Sequence, residues 1–144
     1  MFSKIENLIS NNYILPHLPI KMEAILDTNF IISCVLKRID FIEELENLGF
    51  KIKVPKEVLE ELKDLKKESK TNHNERVAID VAFQILDERK VKKIKVGGRT
   101  VDDGLIQKGN DGFYIATLDR GIKVKIPNKI LIDNSKKGLR VERA

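Results

Sequence analysis

Five short segments that read as strands, at 22–26, 51–54, 93–96, 113–117 and 129–132, some apolar and some alternating apolar residues with lysine, are separated by segments whose apolar residues recur with helical spacing. That alternation constrains the fold more than any other feature of the chain. Strands that alternate with helices pair in parallel, because each parallel neighbour needs a long crossover, and the crossover helices then cover the sheet. The expectation is an α/β fold of three layers, α/β/α, around a central, mostly parallel sheet of about five strands. No repeat or linker interrupts the pattern, so residues 1–144 read as one domain.

The helical segments carry further detail. Residues 2–10 place Phe2, Ile5, Leu8 and Ile9 on one face, and Pro16 and Pro19 keep the next stretch extended. A helix is expected over 28–37, and a second periodic segment with Phe41, Ile42, Leu45 and Leu48 stops at Gly49. Pro55 suits the first turn of a helix over 55–67, whose buried stripe is Val58, Leu62 and Leu65. Glu57, Glu60, Asp64 and Glu68 lie away from that stripe, where solvent is expected; Glu61 alone borders it. Residues 74–89 are apolar nearly all round except for Asp80, Gln84, Asp87 and Glu88, a pattern of deep packing. Residues 100–109 form another helix. The end of the chain reads as a basic tail with Lys136, Lys137, Arg140 and Arg143.

Composition narrows the chemistry. With 42% hydrophobic and 34% charged residues the chain is globular rather than disordered, and no apolar run reaches the length of a membrane span. The opening residues lack the apolar core of a signal peptide, so a cytoplasmic location is expected. One cysteine, Cys34, and two distant histidines, His17 and His73, offer no disulfide and no zinc pattern. Any metal must be held by oxygen. The net charge of +5 is compatible with a nucleic-acid partner.

Carboxylates stand where strands end. Asp27 closes the first strand, Asp102 and Asp103 open the helix after the third, and Asp119 follows the fourth. In a right-handed parallel topology these positions share the sheet's carboxyl edge, and Glu61 reaches it from the border of its helix. Gathered acids repel one another unless cations neutralise them, and Mg²⁺ or Mn²⁺ suits an oxygen-only set. Two such ions about 3.5–4 Å apart can activate water and stabilise the leaving oxygen of a phosphodiester. Each acid also has a plainer reading. Asp27 and Asp119 can cap helices, Thr100 with Asp103 matches a capping box, and Glu61 can be a solvated glutamate. Capping and metal binding are compatible, since both need the acid at that edge.

Ile25-Leu26-Asp27-Thr28-Asn29-Phe30, Val54-Pro55-Lys56-Glu57-Val58-Leu59-Glu60-Glu61-Leu62, Val101-Asp102-Asp103-Gly104-Leu105-Ile106 and Ile115-Ala116-Thr117-Leu118-Asp119-Arg120 together resemble the four signatures of PIN-domain nucleases. They are most similar to the archaeal and eukaryotic branch that cuts pre-ribosomal RNA. The resemblance implies a metal-dependent endoribonuclease with Asp27, Glu61, Asp103 and Asp119 as the acids that bind Mg²⁺ or Mn²⁺. It implies that Asn29 fixes Asp27 or a metal-bound water, that Thr117 orients Asp119 or a water, and that Asp102 supports the set. Asp102 and Asp103 are alternatives for direct contact, and the spacing to Ile106 favours Asp103.

An RNA backbone needs positive charge beside acids. Arg99, Arg120, Lys123, Lys66 and Lys67 flank the acids in sequence and are the expected phosphate contacts, the arginines foremost because they can grip phosphate bidentately. Ribosomal precursor particles are the implied context, and Phe2, Ile5 and Ile9 offer an apolar contact for a homodimer. Two other functions share the sequence features: a VapC-type toxin ribonuclease of a toxin–antitoxin pair, and an inactive RNA-binding protein that keeps the fold.

Overall fold

The computed structural model describes residues 22–144. The expected 2–10 helix and its dimer contact lie outside those residues. Strands β1 (Glu23–Leu26), β2 (Lys51–Pro55), β3 (Lys92–Ile94), β4 (Tyr114–Ala116), β5 (Lys129–Asp133) and β6 (Gly138–Glu142) form one sheet in the order β3-β2-β1-β4-β5-β6. Every pairing is parallel except β5 with β6. The mostly parallel α/β sheet is as expected, with a sixth strand added.

Helices α1 (Thr28–Leu36), α2 (Phe41–Asn47), α3 (Lys56–Lys67), α4 (His73–Glu88), α5 (Val101–Asn110) and the short α6 (Arg120–Lys123) make the connections. The central strands β1 and β4 are buried on both faces, and strand alternation sends their side chains to two cores. Ala24, Leu26, Tyr114 and Ala116 pack with residues of α1 to α4, whereas Ile25 and Ile115 pack with Leu105, Ile122 and Ile126 of the opposite layer. Cys34 is buried, and burial first of all pushes its thiol up to about 12. A buried thiol held in its protonated form is inert.

Local chemistry sets the helix ends. Asn72 and Glu75 cap α4 reciprocally, with Glu75 N–H donating to Asn72 Oδ1 at 2.8 Å and Asn72 N–H donating to Glu75 Oε1 at 3.2 Å. The Arg76 guanidinium donates to the carbonyls of Lys66 and Glu68 at 3.1 and 2.8 Å, closing the end of α3 against the start of α4. α4 is buried on one face only: Ala78, Ile79, Ala82 and Leu86 face inward, but Val77 is 45% exposed. The all-round packing expected of it does not occur, because α1 and α3 cover one side and nothing described covers the other.

The basic tail is not a tail. Residues Gly138–Glu142 return as β6, antiparallel to β5, with Leu139 buried and its N–H donating to the Glu44 carboxylate at 2.9 Å. Among the described residues no helix is long and apolar enough to cross a membrane.

This order puts the site in place. From β1 the chain winds outward through β2 to β3, then returns to β4 on the other side of β1 and winds outward again. The change of direction opens a crevice at the carboxyl ends of β1 and β4, the usual ligand position in such sheets.

Candidate functional site

Asp27 leaves the end of β1 directly into that crevice and caps α1. It is 9% exposed; its Oδ1 accepts the Thr28 N–H at 2.8 Å and its Oδ2 accepts the Thr117 hydroxyl at 2.7 Å. Capping and site are therefore one arrangement. Thr117, at the end of β4 and fully buried, also accepts the Asp119 N–H on its hydroxyl oxygen at 3.0 Å. A single hydroxyl thus holds the Asp27 carboxylate and fixes the backbone that carries Asp119. Asp119 in turn caps α6, its Oδ1 accepting the Ile122 N–H at 3.2 Å.

Thr28 provides a second bridge. Its hydroxyl donates to Glu61 Oε1 at 2.6 Å, while its N–H holds Asp27. Glu61, on the flank of α3 as its spacing required, is thereby brought beside Asp27. Asp119–Thr117–Asp27–Thr28–Glu61 is a continuous hydrogen-bonded chain across the ends of β1 and β4 and the helices α1 and α3. Asn29, by contrast, is exposed in the first turn of α1, and the two oxygens of Asp27 are taken by Thr28 and Thr117 instead.

Asp102 and Asp103 occupy the first turn of α5, where the Asp103 N–H donates to the Thr100 cap at 3.1 Å. Burial pushes the Asp27 carboxyl above its ordinary range; the bonds from Thr117 and Thr28 oppose this, and the charges of Glu61 and Asp102 reinforce it. Asp102 is likewise raised, by burial first and then by Asp119 and Asp103. Asp102 is therefore the acid of this turn that acts on Asp27, and Asp103 acts on Asp102.

Among the described residues no three Asp, Glu, His or Cys side chains stand close enough together to form a ready metal cage. The donors nevertheless suit a hard divalent cation. They are all oxygens, they repel one another, and Asp27 and Asp102 resist ionising without a counter-charge. Mg²⁺ needs only one or two direct carboxylates, with waters completing its shell.

Glu57 corrects the sequence reading, which sent it to solvent. Its carboxylate accepts the N–H groups of Val96 at 3.2 Å and Gly97 at 3.1 Å. Burial opposes its ionisation, but those backbone donors, its own N–H and Lys95 outweigh it and hold the carboxyl below its usual range. The loop after β3 is pinned from one side by α3. From the other side α5 presses on it: a Cβ at Gly104 would collide with the Gly97 carbonyl oxygen and with Val96. Glu57 and Gly104 together set where the first turn of α5, and hence Asp102, stands.

The basic residues divide. Arg99 and Arg120 are exposed beside the caps Thr100 and Asp119, and Lys123 is half-buried at the end of α6. Lys66 and Lys67 are elsewhere: the Lys66 ammonium pairs with Asp80 of α4 at 2.5 Å, on the flank of α3 away from Glu61. Two residues escaped the sequence reading, Thr28 and Glu57. The signal for Thr28 is its hydroxyl next to a strand-ending acid; Glu57 carries none, since its partners are backbone groups 39 and 40 residues away.

Acids at the switch point of a mostly parallel sheet, linked by buried threonines, define an α/β fold with an acidic crevice at its strand ends. The chain belongs to the family described as PIN like domain, whose model matches residues 24–132. It is similar to the solved structure of the PIN domain endonuclease Utp24, with 25% sequence identity, a TM-score of 0.64, and coverage of 85% of this chain and 92% of that one. No curated protein sequence matches the chain.

Proposed function

We propose that this protein is a metal-dependent endoribonuclease that hydrolyses phosphodiester bonds in RNA, acting on ribosomal RNA precursors. The observation that carries the reading is the chain of hydrogen bonds from Asp119 through Thr117, Asp27 and Thr28 to Glu61. It holds acids far apart in sequence at one edge, in a family of nuclease fold. Asp27, Glu61, Asp119 and an acid of the α5 turn would hold Mg²⁺ or Mn²⁺; the charges felt at Asp27 favour Asp102, with Asp103 beside it. Bound there, the cations supply an activated water and neutralise charge on the scissile phosphate. The residues do the rest. Thr117 and Thr28 fix the carboxylates of Asp27 and Glu61 so that little reorganisation is needed, and Arg99 and Arg120 at the rim attract the backbone. The likeness to Utp24 supports the endonuclease reading, and the motif resemblance supports the ribosomal context.

The test is cleavage of pre-ribosomal RNA fragments with Mn²⁺ by the native protein and by Asp27→Asn. The substitution keeps the shape and should lower the rate by about 100-fold or more while RNA binding persists. Undiminished cleavage by Asp27→Asn, or cleavage that EDTA does not abolish, would overturn the proposal.

A further inference from the structure

Lys63, Lys66 and Lys67 follow Glu61 in the chain but occupy another surface. Glu61 is held by Thr28 of α1, whereas Lys66 pairs with Asp80 of α4. The two surfaces lie on opposite flanks of α3, separated by about 10 Å, the width of a helix. α4 runs back along α3, and between them a groove of about 700 Å³ extends to β3, with Leu59, Phe83 and Val91 in its floor and Lys63, Lys90 and Lys93 on its rim. A second hollow of about 490 Å³ shares Phe83 and Lys63 and adds Lys66 and Lys67.

The charge there is one-sided. Five lysines line the two hollows, against Asp87 as the one acid among the lining residues. Lys66 is neutralised by Asp80, and Lys63 reaches Glu60 at 3.5 Å, but Lys67, Lys90 and Lys93 have no acidic partner among the described residues. The half-buried Phe83 ring is common to both hollows.

We propose that this groove is a second RNA-binding face, which holds the substrate's phosphates away from the cut and stacks an unpaired base on Phe83. It rests on the reading of the protein as a ribonuclease and extends it. Phosphates need donors alone, and ammonium groups are donors alone; a bound peptide would also present N–H groups, for which Gln84 and Asp87 are the main side-chain acceptors. An aromatic ring accepts any base, so the face adds affinity without demanding sequence. Glu60 and Asp64, exposed on the crest of α3, divide it from the acid edge, so that either surface can be filled without the other.

The experiment measures binding in EDTA, where no cleavage occurs, using a labelled RNA of about 20 nucleotides, long enough to cross α3 several times over. The triple variant Lys67→Gln, Lys90→Gln, Lys93→Gln should bind about 100-fold more weakly at about 0.1 M salt, with the slope of log affinity against log salt shallower by about 2. Phe83→Ala should weaken binding without changing that slope. An unchanged melting temperature shows that the lysine variant is folded. Equal affinity and slope for native and triple variant would overturn the proposal. So would a polyglutamate peptide that binds the native protein, but not the variant, while RNA binding is unaffected; the face would then belong to an acidic protein segment. A native protein that binds RNA in this way yet never cuts it would refute the nuclease reading, and with it the role of the face in holding a substrate, and leave only the RNA-binding face.

Discussion

Thr28 is the residue on which the geometry of Glu61 depends. It gives its N–H to one acid and its hydroxyl to another. Thr28→Val keeps the side-chain shape and removes only the second bond. Because Glu61 can turn to water, the melting temperature should move little, while the rate at fixed Mn²⁺ falls by about 10- to 100-fold and is partly restored by more metal. Steady-state rates over a metal titration check this; a loss that metal does not relieve would assign Thr28 a packing role instead. Asp102 makes a separate prediction. A carboxyl whose folded-state pKa exceeds its unfolded value of 3.8 binds its proton more tightly in the folded protein. Its contribution to stability therefore declines as pH rises from that value through the raised one, and stays lost at neutral pH. Asp102→Asn should raise the melting temperature in EDTA at pH 7, and the gain should vanish in acid below pH 3.8. Melting curves at the two pH values with Asp103→Asn alongside decide which acid the others repel.

Elements place these residues, and α5 is the one whose position is most finely set. Gly104→Ala would drive a methyl into the backbone of the loop that Glu57 holds. Overpacking of this kind costs about 1–3 kcal/mol, and it should shift the first turn of α5 enough to cut activity beyond what the stability loss explains. Circular dichroism melts set against rates separate the two effects. At the far edge, Leu139→Ala should destabilise by about 2–4 kcal/mol, read in urea denaturation, because β6 is anchored in the core rather than trailing from it. The carboxylate positions were legible because a strand's end is marked by a sharp change from apolar to polar residues, as at Leu26 to Asp27 and Ala116 to Thr117, two residues before Asp119. The hydroxyl bridges were less so, since a threonine after a strand is equally at home as a cap. β6 was hidden because Leu139 and Val141 alternate with Arg140 and Glu142 in a stretch dominated by charge. Position around a helix marks Glu61, whereas nearness in sequence to Glu61 does not show that Lys66 and Lys67 lie on the side of α3 that faces α4.

At the scale of the molecule, the layers keep two kinds of charge apart. Acids sit in the crevice at the strand ends, with Arg99 and Arg120 at its rim, and lysines cluster behind α3. The bond from Thr117 to Asp27 spans 90 residues, and that from Thr28 to Glu61 spans 33. The first of these bonds cannot form in a chain that stops short of β4. During translation, Asp27, Glu61 and Asp102 leave the ribosome well before Thr117 does, and until β4 slots in beside β1 the crevice has only one wall. The proposed cutting site is thus absent from a nascent polypeptide and is completed only when β4 closes the sheet beside β1.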